Sequence, residues 1–255
     1  MLRLLAVGWW LQLKLRSRSA FDGALSLLWP LFFATAIFLM YGTREQSGGV
    51  LLSAAVGAAV MGIWSATSVT AGSALQMERR QGTLELLVAA PAPFVVVIFA
   101  LTLAMSTIGA YSMVTTLLWG RFVFGIEITV DDPLAFALAV VATVIAVGML
   151  GFLLAVSSVR YRTAWALGAA LELPVWLICG FLVPLSLLPE WVRPISWVLA
   201  PTWGMDAIRE ATLGGTPYAE LAACLGLAVA YALLGAGIAR WLLRSARQHA
   251  ALSLS

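Results

Sequence analysis

Glu78-Arg79-Arg80-Gln81-Gly82-Thr83-Leu84-Glu85-Leu86-Leu87 is an island of charge between two long apolar runs. The run before it, Val50 to Leu75, holds 26 residues without a charge, and the run after it, Pro93 to Trp119, holds 27. A helix needs about 20 apolar residues to cross a hydrocarbon core, so each run is long enough to span. The island therefore reads as a short charged segment clamped between two crossings. There, something outside the bilayer can push on what lies inside it.

Composition fixes the class. Hydrophobic residues make up 62% of the 255 and charged residues 11%, against about 45–50% and about 25% in soluble domains. The fold expected is all-α, a polytopic helical membrane protein with one transmembrane domain over residues 1–255. No soluble domain of useful size is left over, because the longest stretch outside the apolar runs, Leu185 to Glu220, is itself rich in Trp, Leu and Pro. Cys179 and Cys224 both fall inside apolar runs and read as buried free thiols rather than a disulfide framework. The chain has no Asn, hence no N-glycosylation sequon.

Six apolar runs follow one another: Ala24–Tyr41, Val50–Leu75, Pro93–Trp119, Leu134–Val159, Thr163–Pro184 and Leu221–Leu243. Six crossings put both termini on one side, and the placement of Lys and Arg gives the direction. With the termini in the cytoplasm, the inner segments hold Arg3, Lys14, Arg16, Arg18, Arg79, Arg80, Arg160, Arg162, Arg240, Arg244 and Arg247, against only Arg44, Arg121, Arg193 and Arg209 outside. This 11-to-4 bias puts the Glu78–Glu85 island (residues 76–92 with its flanks) in the cytoplasm of a cell inner or plasma membrane protein.

The two segments outside this scheme are residues 1–20 and 185–220. In the first, Arg3, Lys14 and Arg18 share one helical face while Trp9, Leu11, Leu13 and Leu15 spread over the rest. That suits an amphipathic helix lying in the headgroup layer. A secretory signal peptide is the other reading; the run meets Lys14, Arg16 and Arg18 and no small-x-small cleavage site follows it directly. In the second segment, Pro184, Pro189, Pro194 and Pro201 cut the chain into pieces made amphipathic by Leu187, Leu188, Trp191, Ile195, Trp197, Val198, Leu199 and Trp203. Proline favours helix starts, so short helices are expected to begin near Pro189 and Pro201. Trp at this density marks a membrane–water interface, and the expectation is a pair of short re-entrant helices in the outer leaflet.

What the chain lacks argues against an enzyme. A phosphate-binding P-loop needs Lys after a Gly-rich turn, and the only Lys, Lys14, has no such turn before it. The only His is His249, so neither an H-E-x-x-H zinc helix nor a Ser-His-Asp triad can be built. All four Asp sit at run edges or in loops, which removes intramembrane aspartyl chemistry. No catalytic, metal or cofactor site is expected in this chain.

One ionisable residue does fall inside the membrane. Glu172 is nine residues into the run that starts at Thr163, about 14 Å deep and close to the midplane. Trp165, Glu172, Trp176 and Cys179 share a helical face by i, i+4, i+7 spacing, and Pro174 follows. Two readings stand. Glu172, Trp165 and Trp176 line a translocation cavity with a cargo- or proton-responsive carboxyl, or Glu172 is protonated and bonded to Ser or Thr on a neighbouring helix. Trp64, in the second run, reads as packing. Ala58 and Gly62 form a small-x-x-x-small step that permits close helix approach.

Around the island, Gly82 permits a sharp entry, Thr83 can cap a short helix and Glu85 sits near its positive end. Leu84, Leu87 and Val88 supply an apolar stripe for a groove on a soluble partner. The bland reading is a positive-inside loop with two Arg as topology anchors. The order Glu78, Arg79, Arg80, Gly82, Thr83, Glu85, Leu86, Leu87, Pro91 also resembles the cytoplasmic coupling region of the permease subunits of type-2 ABC exporters. The N-terminal helix, six spans and short outer helices are similar to that family over the whole chain.

The resemblance implies a transport subunit rather than an enzyme. Glu78, Arg79, Arg80, Gly82, Thr83, Glu85 and Leu87 would couple it to two separate ABC ATPase subunits that carry ATP and Mg. It also implies pairing with a second copy or a sister permease, and export of a hydrophobic or amphipathic cargo such as a drug or lipid. A polysaccharide-lipid or ion as cargo, and a membrane scaffold or sensor that transports nothing, are the alternatives. Membrane lipids are the other expected partner, and nothing in the chain points to nucleic acid.

Overall fold

A computed structural model describes residues 2–17, 20–42, 54–67, 93–126, 130–158, 170–182 and 188–252, together with Leu52, Gly82 and Leu185. The described helices are α1 (Leu2–Ser17), α2 (Ala20–Gly42), α3 (Ala54–Thr67), α4 (Phe94–Phe124) and α5 (Pro133–Ser158). They continue with α6 (Glu172–Ile178), a 3-10 turn at Glu190–Val192, α7 (Arg193–Trp197), α8 (Ala200–Leu213) and α9 (Tyr218–Leu252). Phe94–Phe124, Pro133–Ser157 and Tyr218–Leu242 are each long and apolar enough to cross a membrane. Pro30–Met40 and Ala54–Thr67 are shorter apolar helices. The chain is an all-α, polytopic membrane protein.

Local chemistry sets the helix ends. At 31 residues α4 is about 46 Å long, more than a bilayer core is thick. It stops where Gly125 takes a left-handed φ of 66° and the Ile126 N–H turns back to the Gly120 carbonyl at 3.1 Å. Six residues later Asp132 Oδ1 accepts the Leu134 and Ala135 N–H groups, each at 3.0 Å, with Pro133 at the first helical position. That pairing satisfies N–H groups a helix start leaves bare. The helices expected near Pro189 and Pro201 are present: Pro189 precedes the 3-10 turn, and Pro201 sits in the first turn of α8. Pro30 lies inside α2, where its missing N–H removes one rung of the helix ladder.

Side-chain registers give the direction of each helix. Along α3 and α4, Gly62 lies against Ser112, Ile63 against Gly109 and Thr67 against Ser106, so these two run antiparallel. Ser106 meets Gly148 and the Phe99 ring meets Phe152, which makes α4 and α5 antiparallel as well. Trp119 Nε1 donates to Thr35 Oγ1 at 3.0 Å while Phe38 packs on Gly120 and Phe124, so α2 runs parallel to α4. Cys224 sits at the Ala142 carbonyl and Gly235 at Phe152, so α9 runs parallel to α5. Ser65 with Glu172 and Gly57 with Phe181 set α6 antiparallel to α3. Thus α2, α4 and α6 point one way and α3, α5 and α9 the other, the alternation that successive crossings require.

The core lies between these helices and depends on close backbone approach. A Cβ on Gly109 would stand 2.6 Å from Ile63 Cα, and one on Gly57 would run into the Phe181 carbonyl oxygen. Of the small step read in the second run, Gly62 meets Ser112 and Ala58 is buried. Helix α1 docks on α4 through a face whose half-buried residues Leu5, Gly8, Trp9, Gln12 and Leu13 recur at i, i+3, i+4 spacing. Trp9 Nε1 donates to Thr107 Oγ1 at 3.1 Å, and Trp9 and Leu13 cover Leu101, Ala104 and Met105. Its opposite face leaves Leu4, Val7, Trp10, Leu11 and Leu15 exposed, in keeping with lipid contact.

Candidate functional site

The site forms where α3 meets α6. Helix α6 begins at Glu172, and its apolar residues Val175, Trp176 and Cys179 turn inward while Leu173 and Leu177 stay exposed. Glu172 is half-buried on the same face as Trp176 and Cys179, one and two turns before them. Its carboxyl oxygen Oε1 accepts a short hydrogen bond from the Ser65 hydroxyl of α3. The depth of this bond follows from its neighbours. Ile63 lies level with Gly109 and Thr67 with Ser106, and Gly109 is the middle residue of Phe94–Phe124. The carboxyl is therefore held at mid-height of the bundle.

Its surroundings are mixed. Trp176 is 2% exposed and meets the Phe33 ring edge-on, with centroids 5.0 Å apart. Trp64, next to Ser65, is 1% exposed. The indole Nε1 of each is buried without a hydrogen-bond partner among the described residues. An unpaired buried N–H costs about 1–3 kcal/mol, and such groups call for an explanation in function or in a bound acceptor. Below Ser65, Thr67 Oγ1 bonds the Ile63 carbonyl at 2.7 Å and Ser106 Oγ at 3.1 Å, and Ser106 bonds the Thr102 carbonyl at 3.0 Å. A carboxyl, several hydroxyls and two indole donors thus share the middle of an otherwise apolar bundle.

Of the residues expected to line a cavity, the structure brings Glu172 and Trp176 together, with Trp176 packed in the core. Trp165 lies outside the described residues. The coupling residues Glu78, Arg79, Arg80, Thr83, Glu85 and Leu87 also lie outside them. Gly82 is described, with a left-handed φ of 71° and open space where a side chain would be. Ser65 was not singled out in the sequence, and only tertiary packing makes it the partner of Glu172. Trp64, for which packing is the favoured reading over ligand contact, is 1% exposed, and its indole N–H has no partner among the described residues.

A second polar cluster lies at the end of α8. Arg209 donates through Nη2 to the Gly180 carbonyl at 2.6 Å, and its Nη1 stands 3.7 Å from Asp206 Oδ1. Burial, reinforced by Glu220 and Glu210 and opposed by Arg209, pushes the Asp206 carboxyl up to about 6. Among the described residues, no group of three or more His, Cys, Asp or Glu is placed to hold a metal ion.

A family model described as ABC-2 type transporter matches residues 3–213. That match spans α1 to α8 and includes the charged island, Ser65 and Glu172. No curated protein matches the chain.

Proposed function

Because this chain belongs to the ABC-2 type transporter family, a family of membrane permease subunits, we propose that it forms the translocation pathway of an ATP-driven exporter. Its six apolar runs cross the membrane with both termini in the cytoplasm, and its cargo is hydrophobic or amphipathic. The observation that carries the reading is the Ser65–Glu172 bond at mid-height between α3 and α6. A carboxyl at that depth is costly unless it meets a partner or a wetted path, and Trp64, adjacent to Ser65, and Trp176, four residues after Glu172, carry indole N–H groups without a partner among the described residues. Together they offer donors and one acidic group to a polar headgroup, while the surrounding apolar faces suit a chain or ring system.

The energy comes from elsewhere. This chain has no P-loop, so ATP and Mg are expected on two separate ABC ATPase subunits gripping Glu78, Arg79, Arg80, Gly82, Thr83, Glu85 and Leu87. Two permease chains pair, either as copies or with a sister chain. Closure of the ATPases would push on the island and, through the second and third runs, shift α3 against α6.

The test is reconstitution of the permease with its ATPase in liposomes. Cargo-stimulated hydrolysis, and cargo movement that stops without ATP, are expected. A complex that assembles and hydrolyses ATP while moving no amphipathic dye or lipid would instead indicate a scaffold or sensor.

A further inference from the structure

The cluster at the end of α8 joins the element carrying Glu172 to the short helices before α9. Gly180, at a left-handed φ of 74°, closes the turn after α6, and its carbonyl receives the Arg209 guanidinium. Arg209 is braced on its own helix by Asp206, three residues earlier. Beneath them Cys179 is fully buried beside Thr202 and Asp206. We propose that Arg209 is a latch holding α8 onto the end of α6, that Asp206 makes the latch proton-responsive, and that its release exposes the buried Cys179 to water.

The charged groups facing Asp206 decide the sign. Arg209 and Glu210 come from α8 itself and Glu220 from α9. Helix α5, packed along α8, carries no charged residue. Asp131, just before α5, lies against Gly214, while Glu190 and Arg193 beside α7 are exposed. Burial is the largest influence on Asp206 and raises it to about 6. Opening the latch rehydrates the carboxyl and returns it toward its ordinary value of 3.8. The closed state is therefore the one that binds the proton more tightly. Protonation below about 6 gives up the ion pair with Arg209 but removes the larger cost of a desolvated charge, so it holds the latch shut, and ionisation above it favours release. Since the Asp206 side chain is already 37% exposed, opening recovers only part of the full difference, and a change of about tenfold in the opening equilibrium is expected.

Cys179 is a built-in reporter. The experiment uses the purified full chain in lipid nanodiscs, where both faces are open, with Cys224→Ala (or Cys224→Ser if alanine lowers stability). The rate of Cys179 modification by a water-soluble maleimide is followed from about pH 5 to about pH 8, spanning the Asp206 titration. Dividing that rate by the rate in Asp206→Asn at each pH removes the thiol's intrinsic pH dependence; what is left is that ionised Asp206 itself raises the Cys179 thiol, which slows labelling at the alkaline end and so works against the expected rise. The expected ratio is near one at the acid end and rises about tenfold at the alkaline end. Arg209→Gln should label faster than the parent at both ends, with Arg209→Lys in between. A ratio that stays constant across the range, Arg209→Gln labelling at the parent rate, or Cys179 unreactive in every variant at the alkaline end would each overturn the proposal.

Discussion

Ser65 of α3 donates to the carboxyl of Glu172 on α6, joining the second and fifth apolar runs at the level of Gly109, the middle of α4. If that carboxyl serves the pathway, Glu172→Gln keeps the shape and a hydrogen bond to Ser65 yet lowers cargo transport several-fold. Membrane insertion and assembly should be unchanged. Transport in proteoliposomes decides it, and wild-type rates at every pH would leave Glu172 a purely structural partner of Ser65. Ser65→Ala should cost about 1 kcal/mol of stability.

Helix contact at Gly57 is the tightest test of packing between the same two elements. A Cβ there collides with the Phe181 carbonyl oxygen, and backbone cannot step aside as a flexible side chain can. Gly57→Ala is expected to destabilise by about 1–3 kcal/mol. Gly226→Ala and Gly237→Ala, where a Cβ meets nothing within 4 Å, serve as controls. Thermal unfolding in detergent should separate the first from the other two; equal melting temperatures would mean α3 and α6 are not this close.

Tyr231 ties α9 to the start of α8. Its hydroxyl accepts the Ala200 N–H at 3.2 Å and donates to the Val198 carbonyl. Tyr231→Phe leaves the buried Ala200 N–H and the Val198 carbonyl without that partner and should cost about 1–3 kcal/mol. The loss should show in the unfolding midpoint and in faster hydrogen exchange at Ala200. An unchanged exchange rate there would contradict the assignment.

Stability should depend on Asp206. Its carboxyl is raised from 3.8 to about 6 in the folded protein, so the native state holds the proton more tightly than the unfolded chain. The stabilisation is complete below about 4 and fades as pH rises through about 6. Asp206→Asn should flatten the melting temperature across that window. An asparagine variant that follows the parent's curve would show that Asp206 makes no such contribution, and a parent that gains stability over the variant as pH rises through about 6 would reverse the sign.

Much of the fold was readable along the chain because it rests on local signals. Apolar run lengths located α2, α4, α5 and α9, Pro189 and Pro201 marked the starts of short helices, and i, i+4, i+7 spacing put Glu172, Trp176 and Cys179 on one inward face. Relations between distant residues were not readable. Helix α1 is apolar on more than one side, so spacing could not show that Trp9 and Leu13 turn to α4. Sorting charges by membrane side left Asp206 and Arg209 in a loop tally, although folding half-buries them, with Arg209 on the Gly180 carbonyl and Asp206 within the field of Glu220. Ser65 carries no local signal of its own, and only the packing of α3 against α6 sets it opposite Glu172.

The account turns on whether the Glu78–Leu87 island is gripped by an ATPase. Glu78 and Glu85 are its acidic groups, and a close charge pair at an interface can be worth about 1.5–7 kcal/mol. Reversing both removes that attraction and adds repulsion. The measurement is co-purification of the ATPase with the Glu78→Lys, Glu85→Lys permease, followed by cargo-stimulated ATP hydrolysis of the complex in liposomes. The account predicts a normally inserted permease that loses the ATPase or hydrolyses ATP without moving cargo. Wild-type binding and wild-type coupled hydrolysis in the double variant would contradict it and reduce the island to a topology anchor.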